Sequence, residues 1–313
     1  MARIASISLA LVILLIALLG GLQIGGLQIR AQTPQQTWST FLGDDQTALQ
    51  PNRIKIDYQQ PSDANFQALH DMLVERRALE QVQEIFSPLR LPLDLTVRIK
   101  DCGMSNAWYQ RPAITICYEY VRDLIETAPT QISLDGITPM DALAGQFLYT
   151  ASHEMGHAVF DLLDVPLFGR PEDDADQFAA HVIIRIGQHD ARRLIAGAAY
   201  MYKDYVKHPT ITVPVTAFAD VHGAPMQRLY NLLCQAYGAD PDQFSDLVDK
   251  GYLPKSRAPA CRMEWKEVDF AFRKLIYPYV DQKLVDDVLS KSWVPPTNAE
   301  PPPRITDQPQ SLK

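Results

Sequence analysis

The sequence predicts an α+β fold, with a small N-terminal sheet and a predominantly helical remainder. Two alternating segments predict the sheet. Leu95, Val97 and Ile99 alternate with Asp94, Thr96, Arg98 and Lys100, the period-two pattern of a half-buried strand. A second alternating run places Ile114, Ile116, Tyr118 and Tyr120 on one face and Thr115 with Cys117 on the other. From Thr138 onward the apolar spacing is instead that of helices.

Taken in order, the chain opens with Arg3 and then a charge-free stretch from Ile4 to Ile29, with an apolar run over residues 9–19. This pattern is that of an export signal, cut after the small residue Ala31. The stretch is also long enough to span a bilayer if retained, since about 20 apolar residues suffice. Either way the following domain faces outside, and a membrane is a partner only if the segment stays as an anchor. Residues 32–52 are rich in Gln, Thr and Asp without periodicity and are expected to form a linker. An extended piece follows around Ile54 to Tyr58, then a helix over 64–86 and the two alternating runs.

The next helix has explicit start signals. Thr138 is an N-cap residue, Pro139 fits the first helical position, and Asp141 complements the positive end of the helix dipole. It runs to about Leu163. Helical patterns continue over 171–186, 191–206, 225–237, 243–250 and 263–279. Residues 294–313 contain Val294-Pro295-Pro296 and Pro301-Pro302-Pro303 in a polar context and are expected to form a disordered tail. The folded domain is therefore expected over 53–293.

A chain of 313 residues with a formal net charge of -8 has no electrostatic grip on nucleic acid, which requires clustered Lys and Arg. The four cysteines are an even number in a chain with an export signal, and exported thiols pair. Three pairings are possible. If the two alternating runs form antiparallel strands, Cys102 and Cys117 share a face, leaving Cys234 for Cys261. The alternative is four buried free thiols.

His153-Glu154-Met155-Gly156-His157 is an H-E-x-x-H motif, and it falls inside the helix that begins at Pro139. At 100° per residue, Ala144, Phe147, Leu148, Ala151, Met155, Ala158, Val159 and Leu162 cluster on one face. His153 and His157 lie opposite, within about 40° of each other and one turn apart, so both reach a single metal ion. Glu154 flanks the pair, placed to take a proton from water whose pKa zinc lowers to about 7. Such a catalytic zinc takes three protein ligands and keeps a fourth position open. Asp161 is about 12 Å from His153 along the helix axis, too far to complete that set. Metzincins are excluded, because their H-E-x-x-H-x-x-G-x-x-H pattern needs Gly and His where this chain has Phe160 and Leu163.

Downstream, Glu172-Asp173-Asp174-Ala175-Asp176 opens another helix. Here the sequence resembles the gluzincins, zinc peptidases in which H-E-x-x-H is followed by a helix bearing E-x-x-A-D. The resemblance implies a zincin-like fold with one zinc ion, Glu172 as third ligand and Asp176 as the acid that buttresses a zinc-binding histidine. A resemblance over about Leu91 to Tyr279 is to an uncharacterised family of bacterial metallopeptidases. It is carried by Cys102-Gly103, Asn106-Ala107, Tyr109, Cys117-Tyr118-Glu119, the two acid and histidine motifs, Asp220-Val221-His222, Gln227-Arg228 and Cys234. Gluzincins often place a His or Tyr beyond the glutamate helix to steady the oxyanion, which implies that role for His222, with Arg228 as the alternative. His181 is rotated about 180° from Glu172 and is not expected to ligate. Tyr200 and Tyr202 are expected to pack.

The expected activity is zinc-dependent hydrolysis of a peptide or protein substrate, with Glu154 as general base. The rival reading is a non-catalytic, zinc-binding extracellular interaction protein on the same fold.

Overall fold

The computed structural model describes residues 49–133, 135–207, 212–302 and 304, which all belong to one compact unit spanning 46–313. The export signal or anchor expected over 1–31, and most of the linker expected up to 52, lie outside the described residues. No helix among the described residues is long and apolar enough to cross a membrane.

The fold is α+β. Strands β1 (Ile54–Tyr58), β2 (Leu95–Lys100), β3 (Ala107–Gln110) and β4 (Ala113–Cys117) form one sheet of order β1-β2-β4-β3. β2 and β4 occupy the centre, and both lie parallel to their neighbours except where β4 meets the edge strand β3. The antiparallel pairing expected of the two alternating runs is thus corrected to a parallel one, with Val97 opposite Ile114 and Lys100 opposite Cys117. The reason lies in burial. All five residues of β4 are buried, as befits a central strand covered on both faces, where parallel neighbours are at home.

The second run also ends earlier than its alternation suggests. Cys117 is the last strand residue, and helix α3 (Tyr118–Thr127) buries Tyr118, Val121, Leu124 and Ile125 at helical spacing. The disulfide prediction survives this change of direction. Cys117 closes β4 and Cys102 lies just past the equivalent end of β2, so their Cα atoms are 5.5 Å apart and the bridge forms. Cys234 pairs with Cys261.

The single helix expected over 64–86 is instead two, α1 (Gln67–Glu75) and α2 (Ala78–Phe86), separated by Arg77 in the left-handed region at φ 54°. The break lets α2 turn its buried face of Leu79, Val82, Ile85 and Phe86 inward, with the Leu79 N–H donating to the Tyr58 hydroxyl at 2.7 Å.

Helix α4 (Pro139–Leu162) is the axis of the helical part. Thr138 and Asp141 form a reciprocal capping box at its start, and Arg193 pairs with Asp141 at 2.6 Å. Against α4 pack α5 (Pro171–Arg185) and α6 (Gln188–Ala199); the short α7 (Lys203–Lys207), α8 (Pro225–Ala239), α9 (Ser245–Asp249), α10 (Ala258–Leu275) and α11 (Gln282–Leu289) follow, with α8 packed on α5, α6 and α10. α4 and α6 approach through facing glycines. A Cβ on Gly197 would lie 1.9 Å from the Asp141 carbonyl oxygen, and one on Gly145 would meet backbone atoms of α6 at 2.6 Å. With neighbours this close, α4 is buried nearly all round rather than on one stripe, and His153 is 4% exposed.

After α11, Trp293 and Val294 are buried. The Pro295 carbonyl accepts from Arg193 and the Glu300 carbonyl from Arg76.

Candidate metal centre

His153 and His157 sit one turn apart on α4, and Glu172 stands in the first turn of α5. The packing of α4 against α5 brings them to one point. One donor atom from each of the three lies within 4.8 Å of the others. His153 Nε2 is 3.0 Å from Glu172 Oε2, His157 Nε2 is 3.3 Å from the same oxygen, and the two Nε2 atoms are 3.3 Å apart.

On the far side of His153, Nδ1 is 2.8 Å from Asp176 Oδ1, and an ionised carboxylate can only accept, so Nδ1 carries a proton and Nε2 is the ring atom turned to Glu172. Asp176 is itself gripped by Arg228, whose Nε and Nη2 donate to its two oxygens at 2.7 Å each. Burial opposes the charge on Asp176, but His153 and Arg228 outweigh burial and hold its carboxyl well below the usual range. Burial likewise opposes a charge on His153, yet Asp176 and Glu172 push its pKa up to about 9. Hydrogen bonding from His153 draws Glu172 down to about 2. Two imidazole nitrogens and a carboxylate oxygen this close need positive charge between them, which a proton or a metal ion supplies, and two nitrogens with one oxygen is the donor set of an open catalytic metal site.

Glu154 is 7% exposed and lines a cleft of about 580 Å³ together with His157, Glu172 and His222. Burial raises its pKa, partly offset by His153 and by the backbone N–H of Tyr109 on β3. A carboxylate with raised proton affinity, next to the three-donor cluster but outside it, is suited to accept and return a proton.

His222 reaches the centre from the loop before α8. Its Nε2 lies 3.2 Å from Glu172 Oε2, outside the tight three-donor cluster, and its side chain is 46% exposed. Arg228 faces Asp176 rather than the cleft mouth. Asp161 is neutralised by Arg111 Nε at 2.7 Å and the Tyr109 hydroxyl at 2.6 Å. His181 is far from ligation, paired with Asp269 and stacked on Phe272. Tyr202 is buried, as expected of a packing residue.

Sequence reasoning quoted Tyr109 for the family resemblance but gave it no role at the site, and it missed β3, the Arg111 that occupies Asp161, and Arg170, which donates to the Asp220 carbonyl at 2.8 Å and to that of Val221. None has a local signal, since each partner lies about 50 residues away in the chain.

No curated protein and no solved structure matches this chain. A family model does: residues 58–276, more than half of the sequence, match DUF4344, whose description is "Putative metallopeptidase". Such a family implies a metal ion and peptide-type substrates, which agrees with the donor cluster. The chain therefore belongs to this metallopeptidase family.

Proposed function

We propose that the protein is an exported, gluzincin-type zinc peptidase. The observation that carries this reading is the convergence of His153, His157 and Glu172 donor atoms at one edge of a cleft that Glu154 also lines. These three would hold one zinc ion, and Asp176 would orient His153. Bound there, zinc polarises the peptide carbonyl and acidifies water. Glu154 takes the proton of the attacking water and delivers it to the leaving amine. His222, with Nδ1 3.3 Å from Asp220 Oδ1, turns Nε2 into the cleft, where it steadies the oxygen that gains charge in the transition state.

The cleft also speaks to the bond that is cut. Trp108, Tyr109, Phe160, Val165, Leu167 and Pro171 give it apolar walls, and among the described residues no Lys or Arg lines it. A terminal carboxylate has no cation to meet, and Asp161, the acid that could meet a terminal amine, is occupied by Arg111. We therefore favour internal bonds beside a bulky apolar residue. Two disulfides support export, and we propose a leader or anchor (1–31), a linker (32–52), a catalytic domain (53–293) and a tail (294–313) whose first residues, Val294 to Glu300, dock on the domain rather than being free of it.

A mass-spectrometric cleavage profile on a diverse peptide library, with and without a chelator, tests the reading. Chelator-sensitive cleavage within peptides is expected. Absence of cleavage by protein carrying one zinc per chain would favour the non-catalytic interaction protein.

A further inference from the structure

The geometry points to Arg170 as the positioning residue that fixes His222 in the active cleft, an inference that rests on the peptidase reading of that histidine. Residues 212–222, which lead to His222, include no buried residue, and Val215, Phe218 and Val221 stand in solvent. A segment without buried apolar anchors does not hold a side chain in place by packing. What holds its end is Arg170. One guanidinium nitrogen donates to the carbonyls of both Asp220 and Val221, a charge-assisted fork onto consecutive residues. The loop then turns back through Gly223, at φ 78°, whose missing Cβ would stand 3.3 Å from Arg170 Nη1. Asp220 completes the device by accepting from the His222 backbone N–H at 2.8 Å while its same oxygen meets Nδ1 of the ring.

Arg170 also occupies the N-cap position of α5, two residues before Glu172, with its side chain turned to the loop rather than to the helix end. A single side chain thus sets His222 in register with the helix that carries Glu172, and Nε2 comes to 3.2 Å from Glu172 Oε2. Arg170 is absent from the cleft lining, so it acts through His222. A Lys in its place keeps the charge and a nitrogen with more than one donor, but on a shorter side chain that reaches the two carbonyls less well.

The test is a double-mutant cycle on the zinc-loaded protein with R170A, R170K, H222A and the R170A/H222A pair. Readouts are kcat and KM on a cleaved peptide, zinc affinity by chelator competition, and amide hydrogen exchange across residues 215–223. Because an oxyanion contact matters only in the transition state, R170A should lower kcat about 10- to 100-fold with little change in KM, as expected for a displaced catalytic group. In the H222A background the same change should cost less than about twofold. Amides of His222 and Gly223 should exchange faster, zinc affinity should hold, and R170K should recover only part of the rate. An equal loss with and without His222, a fall in zinc affinity as large as the fall in kcat, or unaltered exchange would each overturn the assignment. If R170A does not fold, R170K carries the same cycle. If the wild-type protein cleaves nothing, the peptidase reading fails, while the exchange comparison still decides whether Arg170 holds the loop.

Discussion

Two buried histidines in this molecule have nearly the same first partners and opposite characters. His153 is hydrogen-bonded to Asp176, which Arg228 grips; His181 is hydrogen-bonded to Asp269, which Arg185 and Arg273 grip. Burial drives the pKa of His181 down to about 4, and Asp269 does not reverse it. At His153 burial acts in the same direction, but Asp176 is joined by Glu172 and the pKa rises to about 9. The difference lies in what surrounds the rest of the ring. His181 is stacked on Phe272 and Trp265, at centroid distances of 3.7 and 5.1 Å, whereas the Nε2 of His153 opens onto Glu172 and His157. A His-Asp-Arg chain is therefore only scaffolding, and a cation site arises where the second nitrogen meets another carboxylate.

The largest test of this contrast removes chemistry while sparing the scaffold. Glu154→Gln keeps size and burial but cannot accept a proton, so hydrolysis should fall by about 10²- to 10⁴-fold while one zinc per chain remains bound. Peptide cleavage assays with parallel elemental analysis measure both. Full activity in the variant would remove Glu154 from the mechanism.

Next in size is the pair Glu172 and Asp176, which differ in that one faces Nε2 and the other Nδ1 of the same ring. Losing one of three ligands should weaken zinc binding more than losing a partner that orients a ligand, typically a 10- to 100-fold effect. Glu172→Ala should thus release zinc to a chelator at concentrations where Asp176→Ala still retains it. If Asp176→Ala binds more weakly, the ligand assignment is reversed.

Asp269→Ala sharpens the comparison from the other side. It leaves Arg185 and Arg273 without their shared acid and should cost about 1–3 kcal/mol of stability in urea unfolding, with zinc affinity unchanged. A tenfold loss of zinc in this variant would show that the two chains are coupled and the contrast false.

How much of this was legible in advance follows the range of the signals. The α4 helix was readable because its start is written locally, in Thr138, Pro139 and Asp141, and it ends at Leu162, one residue from the expected end. Both disulfides were readable although the strand direction was not. The expected pairing of Cys102 with Cys117 assumed antiparallel strands, and it holds in the parallel arrangement because Cys117 ends β4 and Cys102 lies just past the same end of β2. The order β1-β2-β4-β3 was not readable, because β3 is four residues long with little alternation, and its pairing depends on β4 being central. The α3 helix was hidden because Tyr118 and Tyr120 happen to continue the alternation of Ile114 and Ile116. Within the candidate site, spacing along α4 and α5 pointed to the donors. The contacts from Arg170 to the His222 loop and from Arg228 to Asp176 span 50 residues or more and exist only once the helices pack.

The smallest expected effect belongs to His181, and its sign follows from linkage. The folded protein holds this imidazole at about 4, against 6.5 for a histidine in water. Above about pH 6.5 it is neutral in both folded and unfolded chains and contributes no pH dependence. Between 6.5 and 4 the unfolded chain takes up a proton that the folded chain refuses, so stability falls as pH falls. At pH 5.5, one pH unit below the unfolded value, the loss is on the order of 1 kcal/mol. His181→Phe keeps a flat ring between Phe272 and Trp265 and leaves Asp269 to Arg185 and Arg273, but has nothing to titrate. Urea unfolding of both proteins at pH 7 and pH 5.5 isolates this contribution, because every other titrating group is shared. The wild type should lose on the order of 1 kcal/mol more than the variant over that interval. Equal losses would mean that Asp269 compensates for burial at His181 as fully as the acids do at His153, and the two sites would then differ in position alone.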